Sequence, residues 1–182
     1  MLDTLGLKRG TVRLCEHHDE WAKLYEQEKQ LLLDTFVDRI IAIEHIGSTA
    51  IPGVPAKPII GLNAAISSLD KDVVDPFVEP LQKLGYAYMH EYPNRKFFVK
   101  SPEEKRTHHL NLVEAGSQTG WYDPILFRDY MNSNKSARDE YAALKIKLAA
   151  QFAEDRESYT KTKEEFILGI IQLARDHEHP IK

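Results

Sequence analysis

Cysteine is nearly absent from this 182-residue chain: Cys15 stands alone. An internal disulfide framework is therefore excluded, which agrees with a reducing compartment, and the expected location is cytoplasmic. Long apolar runs are missing too, and no stretch approaches the roughly 20 residues of a membrane span. The first fourteen residues interleave Asp3, Lys8, Arg9 and Arg13 with apolar neighbours, so they lack the apolar core of a signal peptide. Nor is there a surplus of positive charge. A formal net charge of -4 gives no global field for a nucleic acid duplex, which disfavours nucleic acid as a partner. Internal repeats, low-complexity tracts and linkers are also absent, and nothing specifies an oligomer. What is present, 42% hydrophobic and 29% charged residues, suits one compact domain over residues 1–182. Within it, 1–120 reads as an α/β body and 121–182 as a helical part.

Apolar residues fall at helical spacing over 19–37, with Trp21, Leu24, Tyr25, Leu32 and Phe36 forming a packing face and Asp19 an N-cap. The β-branched run at 40–46 predicts a buried strand, and 58–66 predicts a second. Residues 70–84 predict a helix, kinked or with an early proline because of Pro76 and Pro80, that stops at Gly85. Segments 86–89 and 95–100 read as a hairpin turning at Pro93-Asn94, followed by a strand at 107–113. Helices are predicted over 124–133, 136–152 and 158–174. The expected class is α/β (α+β), a mixed sheet flanked by helices with a helical C-terminal part.

Chemistry concentrates in residues 44–66, Glu-His-Ile-Gly-Ser-Thr-Ala-Ile-Pro-Gly-Val-Pro-Ala-Lys-Pro-Ile-Ile-Gly-Leu-Asn-Ala-Ala-Ile. After the strand, Gly47, Ser48 and Thr49 offer backbone N–H groups and hydroxyls that can cradle phosphate oxygens, and Lys57 adds a positive charge. An anionic ligand is expected. Because side chains alternate along a strand, Ile60, Leu62, Ala64 and Ile66 share one apolar face, while Gly61 and Asn63 share the other. The later strand repeats the pattern, with Leu110 and Leu112 opposing His109 and Asn111. His108 is expected at the sheet edge. Arg95, Arg106 and Arg128 join Lys57 as candidate phosphate ligands, since guanidinium forks pair with such oxygens. Tyr141 and Lys145, one helical turn apart, can reach the cleft together. Glu44 and Glu114 are the carboxylates closest to it; Glu44 reads either as a catalytic group or as a support for His45 and the turn. His17-His18 and His177-Glu178-His179 read as exposed clusters near the chain ends.

The run E-H-I-G-S-T-A-I-P-G-V-P-A-K-P-I-I at 44–60 resembles the GrpB family, also called UPF0157, within the nucleotidyltransferase superfamily. The resemblance continues through R-K-F-F at 95–98, R-T-H-H-L at 106–110, F-R-D-Y at 127–130, and Tyr141 with Leu144 and Lys145. It ends at Tyr159, Lys163 and Phe166. It implies a nucleotidyltransferase-like sheet in which Gly47 and Ser48 hold nucleotide phosphates. Carboxylates on the next strand would hold Mg²⁺ or Mn²⁺, which polarise the attacking oxygen and the leaving pyrophosphate. Here the sequence departs from the family. Gly61 stands where the family usually carries Asp, Asn63 occupies the superfamily's other carboxylate position, which varies within the family, and His109-Leu110-Asn111 stands where the family commonly reads His-Leu-His. Asn63 and Glu44 are left as weak metal ligands, and Gly61→Asp is expected to tighten divalent binding. The expected function is binding of a nucleotide or other phosphorylated small molecule beside Gly47 and Ser48. Glu44, Asn63, His109 and Asn111 would orient it or act in catalysis, and the loss of the Asp argues against two-metal transfer. The alternative is a non-catalytic binding or regulatory module linked to coenzyme A precursors or a partner enzyme, by analogy with family domains fused to dephospho-coenzyme A kinases.

Overall fold

The computed structural model describes residues 4–101 and 105–178, so His179 lies outside the described residues. The elements run β1 (Leu7–Lys8), α1 (His18–Thr35), β2 (Ala42–Ile46), β3 (Ile60–Ile66), α2 (Lys71–Lys83), β4 (Tyr86–Tyr92), β5 (Arg95–Lys100), β6 (Lys105–Arg106) and β7 (His108–Glu114). Then follow α3 (Asp123–Ser133), α4 (Lys135–Gln151), α5 (Arg156–Thr162) and α6 (Glu164–Glu178). Five strands form a mixed sheet in the order β2-β3-β7-β5-β4. Only β3 and β7 run parallel, and their register sets Gly61 beside His109 and Asn63 beside Asn111.

The alternation along β3 and β7 decides the layers. One face, with Ile60, Leu62, Ala64, Leu110 and Leu112, is wholly buried against Trp21, Tyr25 and Leu32 of α1, Phe36 just after it, and Phe77 and Leu81 of α2. Burying side chains of this size contributes about 1.5–3 kcal/mol each, which fixes the sheet on its helices. The opposite face is roofed by the C-terminal helices. Phe127, Met131, Tyr141 and Ile170 pack with Ile51 and Val54 from the loop after β2, while Leu148 and Tyr159 pack with Val12. Among the described residues no helix is long and apolar enough to cross a membrane.

Three expectations need correction. Asp19 is not the N-cap of α1: it lies within the first turn, and His17 holds the cap position without a side-chain cap hydrogen bond. The helix expected over 158–174 is two helices, broken at Lys163, because its ends bury into different clusters: Tyr159 with Leu148, Ile170 and Ile171 with Met131. No glycine or proline marks the break. His108 is not at a sheet edge, since β7 is the middle strand. Its ring is buried on the core face, 3.9 Å from the Glu28 carboxylate, which also accepts hydrogen bonds from Tyr86 and Lys100. Burial lowers its pKa to about 4 against the opposing pull of Glu28, so the imidazole is neutral.

Candidate functional site

At the end of β2 the chain turns through Gly47, whose φ of 75° is a conformation that glycine adopts without strain, into a single 3₁₀ turn, Ser48–Ala50. The two hydroxyls of this turn go separate ways. Ser48 Oγ shares a 3.4 Å hydrogen bond with Tyr141 OH on α4, so it faces the roofing helices. Thr49 points inward to His45 Nε2 at 2.9 Å. Stacked on Tyr25, His45 has its pKa lowered to about 4 by burial and then by the Arg128 charge. His18, expected to be exposed, is half-buried against Trp21 with Nε2 3.3 Å from the Ser48 carbonyl oxygen.

Beyond Ser48 lies a chain of cations. Lys57 from the proline-rich loop and Lys163 from the α5–α6 junction place their ammoniums 5.1 and 5.3 Å from the centre of the Tyr159 ring, and Lys145 Nζ lies 5.2 Å from that of Tyr141. Arg156 follows, its Nη2 3.4 Å from His109 Nε2. Among the described residues Lys145 Nζ, Arg156 Nη1, Arg106 Nε and Tyr159 OH are buried without a hydrogen-bond partner. Burial lowers the Lys57 pKa to about 6, helped by Arg156 and Lys163; that of Lys163 falls to about 8 through burial and Arg156. Burial also holds Lys145 well below the ordinary lysine value, with Lys163 and Lys57 adding to the effect, and lowers Arg156 to about 10 with help from Arg106. His109 is driven well down by burial, then by Arg156, Lys57 and Arg106. The neighbouring charges that lower the pKa values of these five groups belong to other Lys, Arg and His side chains. Next to them a cavity of about 980 Å³ opens, lined by Tyr92, Phe97, Arg106, His109, Arg156 and Lys163 and bordered by the exposed Glu154, Glu157 and Glu164.

The remaining sequence candidates sit elsewhere or are engaged. Asn111 Nδ2 donates to Asn63 Oδ1 at 2.9 Å, and Asn63 Nδ2 donates to the Gly120 carbonyl at 2.8 Å, so the pair forms an amide ladder tying β7 and β3 to the π-type turn Gln118–Tyr122. Arg128 is consumed by Glu44 at 2.6 Å, Asp129 at 2.7 Å and the His45 carbonyl at 2.8 Å. Arg95 lies 4.0 Å from the centre of the Tyr92 ring and donates to Asn94. Glu114 is exposed at a second, smaller depression.

These placements do not fit a two-metal site. Gly61 offers no donor, and a Cβ there would lie 2.7 Å from the Ile46 carbonyl oxygen. The expectation that Gly61→Asp restores divalent binding is therefore revised: the backbone of β2 occupies that space. Asn63 Oδ1 and the Glu44 carboxylate already have partners, and among the described residues no group of three or more His, Cys, Asp or Glu side chains is arranged to hold a metal. What the arrangement can do is surround several anionic oxygens at once. Sequence reasoning brought Ser48, Lys57, Arg106, His109, Tyr141 and Lys145 to this side but missed Arg156 and Lys163. A signal existed, since Arg156, Tyr159 and Lys163 follow the helical spacing of three and four.

A family model described as GrpB protein matches residues 11–173. The glutamate-rich protein GrpB of Alkalihalophilus pseudofirmus is 36% identical over 172 residues, covering 92% of this chain and 98% of that relative. The crystal structure of the conserved protein GrpB from Enterococcus faecalis is similar at a TM-score of 0.83 and 28% identity, over 91% of this chain and 99% of that one. A more distant likeness, of fold alone, is to the Cid1 poly(U) polymerase solved with MgATP: TM-score 0.51, 10% identity, 76% of this chain and 44% of that one.

Proposed function

The chain belongs to the GrpB family and has a nucleotidyltransferase-like fold, and we propose that it binds a nucleotide, or another phosphorylated small molecule, by its phosphate groups along the cations between Ser48 and Arg106. The observation that carries this reading is the convergence of Lys57, Lys145, Lys163 and Arg156, of which Lys145 Nζ and Arg156 Nη1 are buried without a hydrogen-bond partner among the described residues. Burying unpaired charge costs several kcal/mol per ion, so an arrangement of this kind is retained when a ligand supplies the counter-charge. The Gly47-Ser48 turn caps one end of the phosphate chain, and the Arg156 guanidinium grips the other. Tyr92 and Phe97 give the cavity beyond Arg156 a surface on which a base can rest. The choice of a nucleotide over other phosphates leans on fold analogy, the distant polymerase having been solved with MgATP.

Binding takes precedence over turnover in this reading. The Glu44 carboxylate is held by Arg128, and His109 Nε2 faces the Arg156 guanidinium, so neither is free to accept a proton from an attacking hydroxyl. The proposed role is that of a ligand-binding module in the cytoplasm, where such ligands are abundant. Calorimetry with each nucleoside triphosphate and with inorganic pyrophosphate, alongside a pyrophosphate-release assay in Mg²⁺ or Mn²⁺, tests it. Binding without release is expected. Release that Ser48→Ala abolishes would assign an enzyme instead, and the absence of binding by every phosphate compound would end the proposal.

A further inference from the structure

We infer that the site selects an oligophosphate free of divalent metal, with Lys57, Lys145, Lys163 and Arg156 supplying the neutralisation that metal ions give elsewhere in this fold. The inference rests on the reading that these residues bind phosphate, and it adds the form in which the ligand arrives.

Two independent features lead to it. The first is the closure of the three positions on β2 and β3 from which an ion in this fold would be anchored. At residue 61 the Ile46 carbonyl oxygen stands 2.7 Å from where a side chain would begin; at residue 63 the carboxamide is spent on Asn111 and Gly120; at residue 44 the carboxylate is spent on Arg128. A hard cation needs several oxygen ligands, and this cleft has none to spare at those positions.

The second feature is the surplus of donors. Among the described residues Lys145 Nζ and Arg156 Nη1 are buried without a hydrogen-bond partner, and the ammoniums of Lys57 and Lys163 both lie near one aromatic residue, 5.1 and 5.3 Å from the centre of the Tyr159 ring. A metal–phosphate complex arrives with part of its negative charge already cancelled, so it does less to hold these lysines in their charged form. The metal would also occupy the very oxygens that the lysines and the arginine fork address. Free oligophosphate retains its full negative charge and all its acceptors, so it is the better complement to the cleft. The same reasoning explains how Gly61 and Asn63 coexist with a phosphate cradle: the charge work has moved from carboxylate-held metal to side-chain cations.

Titration calorimetry of the full chain with inorganic tripolyphosphate and with ATP, at fixed ionic strength, in EDTA and then in excess Mg²⁺, reads the inference directly. Both probes are expected to bind in EDTA, and excess Mg²⁺ is expected to weaken both by about tenfold or more, since each lost charge-assisted contact removes a comparable factor. Lys163→Gln, at a partly buried position, should weaken tripolyphosphate in EDTA by a similar factor while circular dichroism stays native; undiminished affinity would count against the assignment. Equal or tighter affinity in Mg²⁺ would overturn the metal-free selection while leaving phosphate binding intact. No heat and no thermal shift with either probe under either condition would instead remove the binding reading on which it stands.

Discussion

Lys145 shows at a single residue how stability and binding oppose each other here. It is 2% exposed, its Nζ has no hydrogen-bond partner among the described residues, and burial together with Lys163 and Lys57 holds its pKa well below the ordinary lysine value. An amine in that position weakens the free protein whether it stays charged against its neighbours or gives up its proton. Lys145→Met keeps the packing of the stem and removes the amine. The expected result is a variant stabilised by about 1–2 kcal/mol that loses about tenfold or more in tripolyphosphate affinity. Thermal melts and calorimetry on the same preparation check both halves; a variant that melts lower and binds as well as the parent would make the amine structural. The pairing of Lys145 with Tyr141 was legible from their four-residue spacing. Arg128 was not, because its partner Glu44 lies 84 residues away and nothing local announces the pair. Asn63 and Asn111 were correctly set on one face by strand alternation, but their mutual hydrogen bond depends on the parallel register of β3 and β7, which alternation does not fix.

Among the elements, the contact between β2 and β3 governs the phosphate turn. Gly61 pairs with Ile46, the last residue of β2, and the Ile46 carbonyl leaves no room for a Cβ. That carbonyl immediately precedes Gly47, so any side chain at position 61 must push on the turn that carries Ser48. Gly61→Ala is expected to destabilise by about 1–3 kcal/mol, the usual range for overpacking, and to weaken tripolyphosphate binding through the displaced turn. Gly61→Asp should cost at least as much and gain no measurable Mn²⁺ affinity. Urea unfolding and a Mn²⁺ titration followed by electron paramagnetic resonance provide the check; a Gly61→Asp variant as stable as the parent and binding Mn²⁺ would show that β2 yields. Strands β2, β3, β5 and β7 and helices α1 to α4 were readable because periodicity and turn residues agreed. The break at Lys163 was not, since it is imposed by packing and carries no glycine or proline; the β1–β6 pairing and the π-type turn at 118–122 were not either, because the glycines beside them mark turns without saying what the turns pack against.

Taken whole, the molecule is acidic on average, with a net charge of -4, yet it gathers Lys57, Lys145, Lys163 and Arg156 into one cleft. An average charge bears on long-range attraction and says nothing about such an internal collection. The collection has a consequence for stability against pH. Unfolded lysines titrate near pH ~10.4, whereas in the folded chain Lys57 titrates at about 6 and Lys163 at about 8. Between those folded values and the unfolded one, the unfolded state holds protons that the native state lacks, so stability rises with pH from about 6 upward. The histidines act in the same direction at lower pH, because His45 and His108 titrate at about 4 when folded. The buried hydroxyls of Tyr25, Tyr86, Tyr141 and Tyr159 act oppositely: burial raises their pKa values, and the stability this gives is lost above the unfolded tyrosine value near pH ~10. The melting temperature of the free protein is therefore expected to climb between pH 6 and 9. Lys57 is surrounded by Arg156, Lys163, Lys145 and His109 from the elements packed around it, and removing its titration should flatten the climb without abolishing it. Differential scanning calorimetry of the parent and Lys57→Met across this range, at constant ionic strength, measures both slopes. A parent that melts lower at pH 9 than at pH 6, or a variant with an undiminished slope, would mean that the cleft lysines keep their protons in the free protein and are neutralised by a counter-charge of its own.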